Sequence, residues 1–181
     1  VASGRATEPI RVQRLADNIA VMRRDMKYVI VQRQSQGVYW HDPSAYLAEL
    51  PKLRARLPTG AWTFTTDPEH YDFAAPHCVK DLKLRSLPPA AAAKPSSFEL
   101  RFERGPIQGR NGLTISYSDV TTVEIHTENG SAFDFSDYNS LRLDETLPHP
   151  RGCTHELAFT TATIRITCAD LQAKWDPIDL R

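Results

Sequence analysis

Residues 113–135, LTISYSDVTTVEIHTENGSAFDF, constrain the fold more than any other stretch of the chain. Leu113, Ile115 and Tyr117 alternate with Thr114, Ser116 and Ser118, the period-two pattern of a strand with one buried face. Ser118-Asp119 marks a corner, and apolar alternation resumes on both sides of Glu128-Asn129-Gly130-Ser131. Asn-Gly tolerates the positive φ that a hairpin turn needs. A two-residue loop would set Ile125 against Asp134 and Glu124 against Phe135. A three-residue loop, Glu128 to Gly130, instead pairs Ile125 with Phe133 and Val123 with Phe135, and puts Gly130 at the left-handed bulge position. The faces therefore predict the three-residue loop, at the centre of an antiparallel meander. Asn129-Gly130-Ser131 is also a glycosylation sequon, although the turn alone accounts for these residues.

Around this centre the second half reads as further β-structure. Phe98, Leu100 and Phe102 alternate with Glu99, Arg101 and Glu103, as a half-buried strand does. Residues 105–112 hold three glycines and form a connecting loop. Residues 136–152 read as a long, irregular acidic loop around Leu147-Pro148-His149-Pro150. Leu157 and Phe159 share one parity while Ile164, Ile166 and Cys168 share the other, which predicts a bulge or break near Thr161-Ala162. Residues 170–175 suggest a helical turn, stopped by Asp176-Pro177.

The first half has a different texture. Thr7-Glu8-Pro9 opens a predicted helix over residues 9–33, in which Val12, Leu15, Ile19, Met22, Met26 and Val29 form one apolar stripe. Residues 27–32, KYVIVQ, have strand-like composition and compete with its last turns. Asp42-Pro43 opens a second helix over residues 43–57, with Tyr46, Leu47, Leu50, Leu53 and Leu57 on one face and Pro51 as a kink. Strands are expected at residues 61–66, with Trp62 and Phe64 on one side, and at residues 79–84. A Pro/Ala linker at residues 88–97 separates this N-terminal region, residues 1–87, from the β-rich region, residues 98–181. The expected fold class is α+β: a helical N-terminal third followed by a mainly antiparallel β-sheet of meanders and hairpins. The two regions form either separate units or one compact unit across the linker.

Formal charge sums to zero, yet it is unevenly spread. Residues 1–57 carry ten Lys/Arg against five Asp/Glu, and residues 96–181 carry eight against thirteen. The halves should attract one another or offer opposite partner surfaces. The first predicted helix carries Arg11, Arg14, Arg23, Arg24 and Lys27, but no nucleic-acid reading motif accompanies them, and a protein partner or self-association is favoured over nucleic acid. No apolar run approaches the ~20 residues a membrane helix needs. Three cysteines, Cys78, Cys153 and Cys168, do not make a disulfide framework. Reduced thiols in a cytoplasmic setting are favoured. The chain starts at Val1, which leaves open a removed leader, export and a Cys153–Cys168 bridge.

No catalytic or cofactor motif is present. The densest cluster of reactive side chains is Asp67, Glu69, His70, Asp72 and His77, followed by Cys78. Carboxylates and imidazoles together suit zinc or a transition metal, and carboxylates alone suit calcium. Their spacing matches no HExxH, paired CxxC or EF-hand loop. Arg104 and Arg110, with the amides of the glycine-rich loop between them, form a candidate anion site, without the ending or context of a P-loop. His126 and His155 fall on strands, where exposure is the expectation. The leading functional expectation is a non-enzymatic binding or interaction protein with no cofactor evident. The alternatives are a metal protein or small enzyme using the Asp67–Cys78 loop, and a structural subunit that oligomerises through the first helix.

Overall fold

The computed structural model describes residues 26–35, 37–87, 97–103, 112–136 and 139–176. In chain order, β1 (Ile30–Ser35) and β2 (Val38–Asp42) form a hairpin, and α1 (Ser44–Leu53) and α2 (Thr59–Thr65) follow. β3 (Lys83–Ser86), β4 (Ser97–Glu103) and β5 (Leu113–Ser118) come next, then β6 (Thr122–Thr127), β7 (Leu141–His149), β8 (Gly152–Phe159), β9 (Ala162–Cys168) and β10 (Asp170–Trp175). Eight of these strands make two antiparallel sheets, ordered β10-β5-β4-β3 and β6-β9-β8-β7. Two strand pairs pass from one sheet to the other side by side: β5 continues into β6 and β9 into β10. Thr121 N–H donates to Thr167 O at 2.8 Å and Ala169 N–H to Ser118 O at 2.9 Å, so bonding carries through the corner. Along the opposite margin, Asp81 N–H donates to Leu141 O and Leu141 N–H to Leu82 O, each at 2.7 Å. The sheets are thus joined along both margins, like a flattened barrel. One hydrophobic cluster fills the space between them, with Leu100, Ile115 and Leu171 on one side and Leu157, Ile164 and Ile166 on the other. Among the described residues, no helix is long and apolar enough to cross a membrane.

The α+β expectation is overturned: 50% of the structure is strand and 15% helical, and among the described residues helices do not form an N-terminal third. Residues 12–22 of the predicted stripe lie outside the described residues, but its last members, Met26 and Val29, are buried in the core. A helix to residue 33 is excluded where it can be seen. The amides of Lys27, Tyr28 and Val29 donate to the Glu145 carboxylate at 2.8, 2.6 and 2.9 Å, so they are not available to carbonyls four residues back. β1 then takes up the β-branched run.

Residues 61–66, expected as a strand, lie in α2 and its C-terminal cap instead. Ala61, Phe64 and Thr65 are its buried face, at helical spacing. The deciding group is remote: the Asp170 carboxylate accepts from Gly60 N at 3.0 Å and Ala61 N at 2.9 Å, capping the helix from β10. Glycine is required for this approach, since a Cβ at position 60 would fall 2.0 Å from Leu171 O. The second predicted helix appears as α1, shorter than residues 43–57, with Pro51 inside it. Of predicted strand 79–84, only its end lies in β3. β3 and β4 pair across residues 88–97.

The local hairpin does not form. β6 pairs with β9, setting Val123 opposite Ile166 and Ile125 opposite Ile164. Both isoleucines are fully buried, and they offer the same period at a better-matched face than Phe133 and Phe135. Glu128–Gly130 forms a 3₁₀ turn with Gly130 at φ +64°, and residues 131–135 run on without strand pairing. Most of the expected acidic loop at 136–152 is β7. Its Asp-Glu centre hid a strand whose two carboxylates are buried and paired. Residues 170–175, expected as a helical turn, form β10 against β5. The parity change near residue 161 is the turn that links β8 to β9.

Replacing Asp170 by Ala should remove the remote cap of α2 and lower unfolding stability by about 1–2 kcal/mol. Urea titration measures the loss. Thr63→Ala, which removes only a solvent-side bond to Thr59 O, should stay within about 0.5 kcal/mol.

Candidate functional site

β7 is the edge strand of its sheet, and outward backbone groups of Asp144 and Thr146 are capped by phenols. Tyr71 Oη donates to Asp144 O at 2.7 Å. Tyr46 Oη donates to Thr146 O at 2.6 Å and accepts from Thr146 N at 3.1 Å. An edge that would otherwise template another strand is thereby closed at its centre by phenols from α1 and the loop after α2.

The inward side chain at the centre of this strand is Asp144. His70 Nε2 meets its Oδ1 at 2.8 Å, and His155 Nε2 meets its Oδ2 at 2.8 Å. An ionised carboxylate only accepts, so each imidazole carries a proton on Nε2. His155 Nδ1 lies 2.8 Å from Tyr117 Oη, which extends the chain of bonds to Tyr117–His155–Asp144–His70. Phe64 packs edge-on against both imidazoles, with centroids at 4.4 and 5.9 Å. His70, Asp144 and His155 are each at most 1% exposed. Burial alone would raise the Asp144 carboxyl, but attraction to His70 and hydrogen bonds from both imidazoles outweigh it and hold the group well below the usual aspartate range. Burial pushes the Tyr117 and Tyr71 phenols up, so both remain donors at any physiological pH.

On the outer face of the same sheet, Glu145 sits directly opposite Glu156, and Glu156 opposite Arg165. Like charges opposite one another are unfavourable. Arg165 relieves Glu156, with its Nη2 at 2.7 Å, and the amides of residues 27–29 satisfy Glu145. The approach of the chain to β1 is thus pinned on β7.

The loop from Asp67 to Cys78 splits between inside and outside. His70 turns into the core, and Cys78 is also buried. Asp67 Oδ1 accepts from Glu69 N and Asp72 Oδ1 from Ala74 N, both as local turns. Glu69 Oε2 lies 3.4 Å from His77 Nδ1, and the His77 ring stacks on Trp175. Among the described residues, no three His, Cys, Asp or Glu side chains converge in a way that would hold a metal ion. Arg104 and Arg110 lie outside the described residues. Asp144, Tyr117 and Glu145 were missed from sequence, and His155, expected to be exposed, is fully buried. The available signal was parity: Cys153, His155, Leu157 and Phe159 alternate on one face, and only His155 breaks the apolar pattern.

Beside this network lies an open groove of about 460 Å³. α1 contributes Leu47, Leu50 and Pro51, α2 contributes Trp62, and the next loop contributes Pro68 and Tyr71. Asp67 and Asp72 add carboxylates to this apolar lining. Tyr71 belongs to both places, since its ring lines the groove and packs against His70 at 4.3 Å while its hydroxyl holds β7. The buried network therefore positions one wall of the groove.

Asp144→Ala should destabilise the protein by about 3–5 kcal/mol, because two buried imidazoles lose their shared acceptor. The carboxyl is depressed in the folded state, so its stabilisation is complete above the ordinary value of 3.8 and is lost as pH falls below it. Urea midpoints measured from pH 7 to pH 3 should fall over that last unit, and less steeply in Asp144→Asn. No protein-family model matches the chain, and no curated protein matches it.

Proposed function

We propose that the chain is a non-enzymatic binding protein that receives a basic, partly apolar segment of a protein partner in the groove between α1 and α2. The observation that carries this reading is the groove itself: an apolar, aromatic trough with two carboxylates, opening to solvent. Leu47 is 46% exposed, which suits a contact surface better than a core position. Trp62, whose ring also carries the Arg54 guanidinium 5.7 Å from its centroid, and Tyr71 give the trough aromatic surface suited to an aliphatic stem. Each carboxylate is held by its own turn, which limits the ordering cost of binding. By contrast, the groups best suited to proton transfer, His70, His155 and Asp144, are sealed from solvent and engaged with one another. A substrate has no access to them in this arrangement, which favours binding over catalysis.

Three fluorescein-labelled peptides of equal length test the proposal by anisotropy. The first mixes Leu with Lys, the second replaces Lys by Glu, and the third replaces Leu by Ser. Micromolar binding of the Leu/Lys peptide alone is expected, weakened about tenfold or more by Trp62→Ala and by the double change Asp67→Asn, Asp72→Asn. Equal affinity for all three peptides, or indifference to Trp62→Ala, would sink the reading.

A further inference from the structure

We propose that Cys153 and Cys168 are a modification site, a thiol pair that is oxidised to a cross-strand disulfide and staples β8 to β9. The two residues are direct partners in the β8–β9 ladder. Directly opposite residues in an antiparallel pair have Cα atoms about 4.5–5.5 Å apart, inside the roughly 4.4–6.8 Å range that a disulfide spans. Their Sγ atoms already face each other at 3.6 Å, and both side chains are fully buried. Forming the bond requires the sulfurs to close from 3.6 Å to about 2.05 Å, the direction in which rotation of the two facing side chains moves them.

The position gives the bond a consequence. Cys153 is the second residue of β8 and Cys168 ends β9, so the pair closes this hairpin at the end away from its turn. One residue later the chain passes through Ala169 into β10 and the other sheet. The surroundings are tight, since a Cβ at Gly152 would fall 2.1 Å from Ala169 O. A bond here ties the corner on which both sheets depend.

Burial also sets how the bond forms. The hydrogen bond with Cys168, together with burial, pushes the Cys153 thiol up, so thiolate is scarce in the folded state. Oxidation therefore belongs to folding or to a local opening of the hairpin. A small-molecule disulfide of the glutathione class supplies the oxidant. One protein thiolate attacks it and releases one small thiol. The second protein thiolate attacks the mixed disulfide, forms the Cys153–Cys168 bond and releases the other small thiol. The protein loses two protons and two electrons, and the small disulfide is reduced to two thiols.

The unmutated chain tests this after unfolding and refolding, once in a glutathione redox buffer and once in excess reductant. Remaining thiols are alkylated under denaturing conditions and the protein is mapped by mass spectrometry. In the redox buffer, a peptide containing Cys153 should be linked to one containing Cys168, with Cys78 alkylated. The linked form should unfold at a temperature higher by roughly 5–10 °C, because the bond closes a loop of 15 residues. Alkylation of all three cysteines after refolding in the redox buffer would overturn the proposal. A link through Cys78, or a bridged form with an unchanged or lower midpoint, would overturn it equally.

Discussion

The Asp144 carboxylate, held between two imidazoles inside the sheet sandwich, is the interaction on which the rest of the structure depends. A carboxylate in a nearly dry interior is costly unless every oxygen is satisfied. Here His70 approaches one oxygen and His155 the other. The two imidazoles come from different parts of the chain, one from the loop after α2 and one from β8. Their convergence fixes that loop against the sheets, and Phe64 of α2 seals the contact. Tyr117 extends the same network into the opposite sheet. Both sheets and the helical layer are therefore registered on a single polar centre, where an apolar core alone would leave alternatives.

β7 carries a second consequence. Its inward Asp144 and outward Glu145 are neighbours in sequence but serve different layers. Glu145 gathers the three amides that lead into β1, and so decides where the N-terminal hairpin begins. Tyr46 and Tyr71 close the backbone edge of the same strand, which brings α1 and the 67–72 segment beside it. The groove between the helices follows from these attachments. One of its walls, Tyr71, is set from below by the buried network, an arrangement that would lower the ordering cost of the proposed binding.

Several elements were legible because their cause is local. The alternation of Leu113, Ile115 and Tyr117 appears as β5, and that of Phe98, Leu100 and Phe102 as β4. The Tyr46, Leu50 and Leu53 face appears on α1. The Asp67–His77 cluster was singled out for its density of titratable groups, and one member, His70, does lie in the central network. Its partners could not be named. Asp144 is 74 positions away in sequence, and it sat in a segment whose polarity argued for a loop.

Sequence alone determined which residues alternate and where chains must turn, because side-chain period and the φ preferences of glycine are properties of a few neighbouring residues. The corner at Ser118-Asp119 and the left-handed Gly130 are of this kind. Tertiary structure alone decided three other matters. It paired β6 with β9 rather than with the segment after Gly130, made a helix of Thr59–Thr65, and made a buried strand of an acidic segment. In each case the deciding group is remote in sequence: Ile164 and Ile166 for β6, the Asp170 carboxylate for α2, and His70 with His155 for β7. A cap, a matched face or a charge partner supplied from far along the chain outweighs local preferences that differ by only about 1 kcal/mol per residue.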